Sequence, residues 1–322
     1  MSASPSQSLM ISNIKNNQVL TSIIIPCYRN TEGAIRAVHA LVKVLGDSSQ
    51  DVEIIVVDDG SGDGSAANIT AATAGEAHVV GLEKNSGRST ACNAGAKYAS
   101  GEYIVFMDCD CVPLTNIAQQ HARQFAGGVV ASAGVVEGSG DNGFWDDYQR
   151  LVSRRRARMY KRGFSFSSSS VNLAIRRRDF IAVGGFDQSY NRYGFEDRDL
   201  LIRLSRRGRI SLTNKAIVRH MDKLTLVSIC DKMAETGRYS SGRFRQKFQD
   251  EYSALGYEAV DVDNKKRPWL RGVAWLTSAM IKPAAYTFDM LEHRFRLPLW
   301  LGAPVVRLLS GLAYLNGTAL RE

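Results

Sequence analysis

The feature that most constrains the fold is an alternation, in the first third of the chain, of short apolar runs with segments of helical character. The runs are rich in β-branched residues and lie at 21–26, 52–57, 77–83 and 102–108. Continuous apolar strands separated by helices are typical of a mostly parallel sheet covered by helices on both faces. We therefore expect an α/β fold with such a sheet.

Polar residues lie at or just after the end of each of these four runs, at 27–30, 58–61, 85–88 and 108–110. In sheets of this class, ligands bind beyond the carboxyl ends of the strands. Because parallel strands end at the same edge, we expect these four groups of side chains to converge on one ligand site.

The fourth run ends in FMDCDC, in which Asp108 and Asp110 alternate with Cys109 and Cys111. Two carboxylates one residue apart can share Mg²⁺ or Mn²⁺, which prefer oxygen ligands and are often completed by substrate phosphates. A thiolate site would need further soft ligands, which the neighbourhood lacks. The alternative is that the cysteines are packing residues and the aspartates are solvated, and the motif alone leaves both open.

A second acidic segment, YGFEDRDLLIRL at 193–204, begins a helical pattern with Glu196, Asp197 and Asp199. Acids in a first helical turn are stabilised by the helix dipole, so capping is the simple interpretation. Capping does not explain the preceding YGF sequence. These three residues would hold the acids in a confined pocket. A carboxylate confined there could have a raised pKa and act as a general base.

Three further features allow both a structural and a functional interpretation. His220 follows an apolar run and is either a structural histidine or a metal ligand. Asp58 and Asp59 form either a turn or a nucleotide contact. The stretch 150–162 has many arginines and no acid, so it is either a solvated helix face or a site for an anionic acceptor, a lipid phosphate or a membrane surface.

Taken together and in order, these motifs resemble the family 2 glycosyltransferases, which have the GT-A fold. The resemblance covers about residues 21–220 and rests on IIIPCYRN, VVDDGSGDGS, NSGRSTACNAG, FMDCDC, VNLAIRRRDFIAVGGFD, GFEDRDLLIRL and the later histidine. It implies a Rossmann-like GT-A sheet and inverting, metal-dependent transfer of a sugar. The donor would be a nucleotide-diphospho-sugar, UDP being the expected nucleotide. The acceptor would be a hydroxyl in glycan, glycolipid or cell-envelope biosynthesis.

The resemblance also implies residue roles. Asp197 would be the catalytic base, with Glu196 as the neighbour that binds or orients the acceptor. Mn²⁺ or Mg²⁺ would be held by Asp108, Asp110 and His220. The residues implied to contact the nucleotide sugar are Pro26, Tyr28, Asp58, Asp59, Asn85, Gly87, Arg88, Asn93 and Asp108.

Two departures from the family pattern affect the expected activity. Cys92 stands where an arginine is common, so one phosphate contact would have to come from elsewhere. Processive members carry a QxxRW signature downstream of the base, and this chain has none. We therefore expect transfer of a single sugar rather than polymer synthesis.

The expected organisation has three parts: a polar tail at 1–20, a catalytic domain at 21–222 and a helical, amphipathic region at 223–322. Within the catalytic domain, about 21–111 would bind the nucleotide and about 112–222 the acceptor. The last region combines Trp269, Trp275 and Trp300 with scattered lysines and arginines, so its helices either pack on the domain or attach to a membrane interface.

Charge and composition bear on partners and location. The net charge of +9 suits anionic partners. Five cysteines without a CxxC pair favour a reducing compartment. The first residues lack a signal-peptide pattern, and no segment supplies the roughly 20 uncharged apolar residues of a membrane span. We expect a cytoplasmic protein, peripheral on the inner face of the cell membrane, that acts on a nucleotide sugar and a glycan or lipid-linked acceptor.

Two other function classes fit the sequence less well. A nucleotidyltransferase of the same broad fold usually carries a lysine-bearing, glycine-rich loop soon after the first strand, which CYRNTEGA does not provide. A nucleic-acid-binding module would depend on the basic run, which lacks the aromatic interleaving of such modules. No nucleic acid is therefore expected as a partner.

Overall fold

The computed structural model describes residues 20–321, so the predicted polar tail lies outside the described residues except for Leu20. One sheet of eight strands, in the order β3-β2-β1-β4-β7-β6-β8-β5, forms the centre of the molecule. Helices cover both of its faces, and further helices follow at the carboxyl-terminal end of the chain. The expected α/β class is confirmed.

The first half of the sheet is parallel throughout and contains the four predicted apolar runs. Its strands are β1 (Thr21–Cys27), β2 (Val52–Asp58), β3 (His78–Gly81) and β4 (Tyr103–Met107). The helices that connect them are α1 (Thr31–Leu45), α2 (Ser65–Thr73) and α3 (Arg88–Tyr98). Asn30 begins α1 by accepting a hydrogen bond from the backbone N–H of Gly33 at 3.1 Å.

The second half of the sheet is mixed. Its strands are β5 (Cys111–Pro113), β6 (Val129–Glu137), β7 (Asn172–Arg176) and β8 (Arg209–His220). β7 is antiparallel to both β4 and β6, whereas β6 and β8 are parallel. The start of β7 therefore lies beside the end of β4, with Met107 paired to Asn172. The end of β8 reaches the same edge, where His220 pairs with Cys111.

The sheet alternates its side chains between two hydrophobic layers. Ile23, Ile25 and Val56 point into one layer, and Ile24 and Ile55 point into the other. Strands buried on both faces have no polar face, which is why the sequence shows unbroken apolar runs here.

The remaining helices surround the second half and form the end of the chain. Those within the second half are α4 (Ile117–Ala122), α5 (Phe144–Lys161), α6 (Arg177–Ala182) and α7 (Glu196–Ser205). Those after β8 are α8 (Leu226–Glu235), α9 (Ser241–Lys247), α10 (Gln249–Ala254), α11 (Leu270–Thr277), α12 (Ile281–Phe295) and α13 (Leu299–Ala319).

The helices after β8 pack on the rest of the molecule through aromatic side chains. Phe144 of α5 meets Phe288 of α12 with ring centroids 5.5 Å apart. Tyr314 of α13 joins a buried aromatic cluster with Phe195 and Phe244. Across residues 20–321, none of the helices combines the length and the apolar character needed to traverse a bilayer.

Candidate active site

The residues predicted to be catalytic or metal-binding meet at the carboxyl edge of the sheet. Asp108 and Asp110 follow β4, and His220 ends β8. Because β7 is antiparallel to β4, the loop before β7 reaches this edge too and brings Ser170 close to Asp108. Asp197, in the first turn of α7, completes the group.

Arg88 is the side chain that joins this group. Its Nε donates to Asp108 Oδ1 at 3.1 Å, and its Nη2 donates to the same oxygen. Its Nη1 donates to Ser170 Oγ at 2.6 Å and lies 3.7 Å from Asp197 Oδ1. Ser170 Oγ in turn donates to Asp197 Oδ1. One guanidinium group therefore connects the FMDCDC motif with the acidic segment of α7.

The electrostatics of Arg88 follow from this placement. Burial by itself would lower the pKa of the Arg88 guanidinium, but attraction by Asp108 and Asp197 outweighs burial, and its pKa is raised well above the usual value. Arg88 is thus a fixed positive charge between two carboxylates. Such a group can also bind the oxygens of a phosphate.

Asp110 and His220 form a second pair at the same edge. His220 Nε2 lies 3.2 Å from Asp110 Oδ2, and His220 Nδ1 donates to the backbone oxygen of Asp222 at 3.3 Å. The hydrogen bond to Asp110 raises the pKa of His220. Burial would raise the pKa of Asp110, but the hydrogen bond to His220 and its charge lower it overall.

The residues present fit a divalent metal with two protein ligands. The Nδ1 contact of His220 orients the ring so that Nε2 faces the carboxylate of Asp110, an arrangement common for metal-binding histidines. The carboxylate of Asp108 is engaged by Arg88. Within residues 20–321, no three His, Cys, Asp or Glu side chains are grouped to hold a metal. Mg²⁺ and Mn²⁺ commonly take further oxygens from phosphates and water, so a metal held by Asp110 and His220 would take its remaining ligands from the substrate and from water.

The cysteines near the site pack as neutral thiols. Cys111 is fully buried, and burial raises its pKa. A contact with Cys27 raises the pKa of Cys109. Cys92 is also fully buried, one helical turn after Arg88, and burial raises its pKa to about 12. A thiolate metal site is therefore not supported.

The segment before α7 has an unusual backbone. Gly194 has φ 107° and Phe195 has φ 69°, a left-handed conformation that non-glycine residues rarely adopt. Phe195 is held there by stacking on Phe244, with ring centroids 4.3 Å apart. Backbone strain of this kind persists where packing over-determines it, often at functional sites. The YGF sequence thus fixes the backbone at the start of α7.

The three acids of α7 have different surroundings. Glu196 is buried, accepts a hydrogen bond from the backbone N–H of Gly194 at 3.0 Å, and has its pKa raised to about 7 by burial and by repulsion from Asp197. Asp199 is fully buried and pairs with Arg203 and Lys247, so it links α7 to α9. Only Glu196 and Asp197 therefore belong to the site.

Asp59 organises the loop that leads into α3. Its two carboxylate oxygens accept hydrogen bonds from the backbone N–H groups of Ser86 and Gly87, at 2.9 and 2.8 Å. Burial raises the pKa of Asp59, although these two bonds oppose the shift. The effect is to fix the loop from which Arg88 projects.

Other residues predicted to contact the nucleotide are placed around the same loops. Tyr28 is 41% exposed at the end of β1, beside the guanidinium of Arg29, which lies 5.2 Å from its ring centroid. Asn85 is exposed and accepts from the backbone N–H of Gly87 at 3.2 Å. Pro26 is buried within β1. The exposed ring of Tyr28 offers a surface on which a nucleobase could stack.

Two of the predicted nucleotide residues hold neighbouring loops instead of facing open space. Asp58 accepts a hydrogen bond from the Ser61 hydroxyl. Asn93 donates to the backbone oxygen of Phe186 at 2.8 Å and accepts from its N–H at 2.9 Å. Both polar atoms of the Asn93 amide are therefore engaged by the turn after α6, which gives this side chain a structural role.

Sequence analysis did not identify Ser170, which bridges Arg88 and Asp197. The residue is one of several serines in FSFSSSS, and nothing local distinguishes it from the others. Its significance comes from the antiparallel entry of β7, which the sequence pattern does not reveal.

Two family models match the chain. One, described as glycosyl transferase family 2, matches residues 22–184, just over half of the 322 residues. The other, described as the N-terminal domain of galactosyltransferase, matches residues 154–223. Together they include every element that contributes to the site.

Curated relatives match over part of their length. An undecaprenyl-phosphate 4-deoxy-4-formamido-L-arabinose transferase of Salmonella choleraesuis is 26% identical over 58% of this chain and 52% of its own. The protein of the same name from Proteus mirabilis is 34% identical over 51% of this chain and 46% of its own. The chain thus spans about half the length of the relatives it matches.

Solved structures are similar over most of the chain. A mannosyltransferase from Pyrobaculum calidifontis, in complex with GDP-Man and Mn²⁺, has a TM-score of 0.59 at 16% identity and covers 93% of this chain and 86% of that chain. TarS of S. aureus has a TM-score of 0.52 at 16% identity, covering 93% of this chain and 55% of that chain. At these identities the likeness establishes the fold.

Proposed function

The chain belongs to glycosyl transferase family 2, and on that premise we propose that it transfers a single sugar from a nucleotide-diphospho-sugar to an acceptor hydroxyl, with inversion at the anomeric carbon. The fold is the GT-A fold expected from the sequence. The observation that carries the proposal is the network in which Arg88 contacts Asp108, Ser170 and Asp197. This network joins the donor side of the site to the acid proposed as base.

The donor would lie along the carboxyl edge, with its base near Tyr28 and its diphosphate near Arg88. Asp59 supports this binding by fixing the loop at Ser86 and Gly87. A divalent cation, Mn²⁺ or Mg²⁺, bound by Asp110 and His220 would supply positive charge to the diphosphate leaving group. The Mn²⁺ bound in the Pyrobaculum mannosyltransferase supports this assignment. UDP is the nucleotide we expect.

Asp197 is proposed as the base that takes the proton from the acceptor hydroxyl. The hydrogen bond from Ser170 and the nearby guanidinium of Arg88 orient its carboxylate. Fixed orientation matters because attack must come in line with the bond that breaks, from the opposite face of the sugar. Glu196, whose pKa is raised to about 7, would hydrogen-bond the acceptor in either protonation state.

We further propose that the catalytic domain spans 21–222 and that the helices at 223–322 contact a membrane surface. Large apolar side chains on α11, α12 and α13 are exposed, among them Trp275 at 78% and Trp300 at 77%. Lys282, Arg294 and Arg307 are carried by the same helices. Aromatic residues with cations favour the head-group zone of a bilayer.

The acceptor proposed for this surface is lipid-linked and part of cell-envelope synthesis. The names of the two relatives, which contain undecaprenyl phosphate, support a membrane-bound acceptor. Contact at the inner face of the cell membrane would place the site beside such an acceptor and within reach of nucleotide sugars in the cytoplasm.

The test is a panel of nucleotide sugars, each assayed for binding with and without Mn²⁺ or Mg²⁺ by thermal unfolding. A ligand that binds only the folded state raises the apparent stability. The donor so identified is then incubated with membrane extract, and the product is analysed. Release of nucleoside diphosphate with an inverted anomeric centre supports the proposal. Release of pyrophosphate would instead indicate a nucleotidyltransferase.

A further inference from the structure

The arginine-rich stretch at 150–162 does not act as one surface. It lies on α5, where Arg154, Arg155 and Arg158 are exposed to solvent. Arg150 pairs with Asp147 on the same exposed face. These contacts are typical of a solvated helix. The half-buried Arg156 differs from them because it lines a cavity.

The cavity beside Arg156 has a volume of about 380 Å³ and is rich in hydroxyl groups. Ser153 of α5 and Ser168 and Ser169 of the loop before β7 contribute to its wall. None of these three hydroxyls hydrogen-bonds to another described residue. The next residue, Ser170, is the one that bridges Arg88 and Asp197.

A second cation, Arg198, comes from α7 and directly follows Asp197. Its guanidinium lies over the rings of Phe195 and Tyr257, at 5.7 and 5.5 Å from their centroids. Stacking on two rings fixes the position of the guanidinium group. Its Nε is buried and has no hydrogen-bond partner.

Arg156 and Arg198 share a feature that the other arginines of the site lack. Among residues 20–321, neither has a carboxylate within ion-pair distance, whereas Arg88 and Arg203 each pair with an aspartate. Burial, and then repulsion from Arg198, lower the pKa of Arg156. Asp197 is the acid that acts most strongly on Arg156. Two positive charges are therefore held beside the proposed base without an anion of their own.

We propose that Arg156 and Arg198 bind a phosphate group of the acceptor, next to the hydroxyl that Asp197 deprotonates. Two guanidinium groups and several free hydroxyls match the many oxygens and the double charge of a phosphate. Arg156 lines the cavity and Arg198 directly follows Asp197 in α7, whereas the donor diphosphate would lie beside Arg88 and Asp108. This inference rests on the proposed function, because it names the chemistry of the acceptor for the same site.

The test measures phosphate binding with the donor side of the site occupied. The protein is saturated with Mg²⁺ and the nucleoside diphosphate that binds in the donor panel, and inorganic phosphate is titrated by calorimetry. Arg156→Gln and Arg198→Gln are each expected to weaken phosphate binding at least about 10-fold, because each removes a charged hydrogen-bond donor. Arg154→Gln, on the exposed face of the same helix, should bind phosphate like the wild type. Nucleoside diphosphate binding should be equal in all four proteins.

Further variants keep the inference falsifiable if a glutamine variant does not fold. Arg156→Lys retains the charge but loses the planar fork, so it should fold and bind phosphate more weakly than the wild type. The inference is overturned if Arg156→Lys and Arg198→Gln bind phosphate as the wild type does, or if Arg154→Gln weakens it equally. Should no nucleoside diphosphate bind, the proposed function fails, and titration of phosphate alone still decides the role of the arginines.

The source of the phosphate is separated by two probes. Glycerol phosphate represents a soluble acceptor, and vesicles of phosphatidylcholine with phosphatidic acid represent a lipid acceptor. Binding of glycerol phosphate that requires Arg156 supports the inference with a soluble source, and vesicle binding that requires Arg156 supports it with a lipid source. Binding of both probes that is independent of Arg156 contradicts it.

Discussion

Arg88 has two functions that a single substitution would remove together. It holds Asp108 through two nitrogen atoms and reaches Asp197 both directly and through Ser170. Without it, two acids at the same edge would lose their shared counter-charge. The planar fork matters as well as the charge, because it directs two nitrogens at Asp108 and the third at Ser170 and Asp197.

We predict that Arg88→Lys lowers kcat for sugar transfer by at least about 100-fold, the usual effect of removing a donor aimed at developing negative charge. The measurement is the initial rate of nucleoside diphosphate release at saturating donor. Arg36→Lys, at an exposed position of α1, is the control and should leave the rate unchanged. If the rate of the Arg88→Lys protein were within a few fold of the wild-type rate, Arg88 would not be required for sugar transfer.

Glu196 makes the stability of the protein depend on pH in a direction opposite to that of most carboxylates. Its pKa rises from the usual 4.5 to about 7 on folding, so the folded state binds more protons than the unfolded state between those values. The free energy of unfolding should therefore fall as pH rises from about 4.5 to about 7, by up to about 3 kcal/mol from this group.

We predict that Glu196→Gln abolishes this contribution, because glutamine does not titrate. The measurement is the free energy of urea unfolding at pH 5 and at pH 7, compared between the wild type and the variant so that other groups cancel. The wild type should lose more stability than the variant over this interval. Equal pH dependence in both proteins would show that Glu196 has an ordinary pKa.

The site residues that the sequence predicted lie in short motifs, whereas the one that it did not predict lies in none. Asp108, Asp110, Glu196 and Asp197 lie in short motifs, and each motif is complete within a few residues. Ser170, by contrast, acquires its contacts from residues more than 20 positions away. A serine without a local motif gives no signal until the fold brings its partners together.

The turn into α7 is the element whose geometry the site depends on most. Gly194 has a positive φ, and a Cβ at this position would lie 2.5 Å from Thr236 Oγ1. The next residue, Phe195, is fixed by its stacking on Phe244. Any shift of this turn would move Glu196 and Asp197.

We predict that Gly194→Ala destabilises the protein by about 1–3 kcal/mol and lowers sugar transfer, because the backbone is strained and the space is filled. Gly272→Ala is the control: this glycine lies in α11 with open space around its Cβ position. There alanine should stabilise by about 0.5–1 kcal/mol, since glycine is unfavourable inside a helix. Urea unfolding measures both, and a Gly194→Ala protein as stable as wild type would contradict the strain argument.

The helices α11 and α13 carry the most exposed tryptophans, and their proposed role is separable from catalysis. We predict that the double variant Trp275→Ser, Trp300→Ser loses most of its binding to vesicles of anionic lipid, because indole rings favour the membrane interface. The measurement is co-sedimentation with vesicles of phosphatidylglycerol and phosphatidylcholine. Tyr98→Ser, at an exposed position at the end of α3, should bind as the wild type does. Undiminished binding of the double variant would place the membrane contact elsewhere.

The direction of one strand decides how the whole molecule assembles its site. The apolar runs predicted the parallel half correctly, since each run is a buried strand followed by a helix. They could not predict that β7 enters antiparallel, because strand direction depends on the path of the chain through α5. That path brings Ser169 and Ser170 to the edge where β4 ends. The same path of the chain brings Arg156 of α5 near Asp197 and Arg198 of α7.

The two parts of the molecule, sheet and terminal helices, are joined at the turn before α7, the helix that carries Asp197. The aromatic cluster around Phe195 includes Phe244 of α9 and Tyr314 of α13. Packing of the terminal helices therefore supports the turn before Asp197. The sequence indicated helices in this region, but their contact with the site depends on long-range packing that no local pattern encodes.

The central claim is that Asp197 is the base of an inverting sugar transfer, and Asp197→Asn tests it most directly. Asparagine has nearly the same shape but cannot accept the proton, and general-base catalysis contributes roughly 100- to 10,000-fold. The measurement is the single-turnover rate of sugar transfer, with donor binding determined on the same samples. We predict that donor binding is unchanged and that transfer falls at least about 100-fold. Transfer at the wild-type rate by the Asp197→Asn protein would contradict the account.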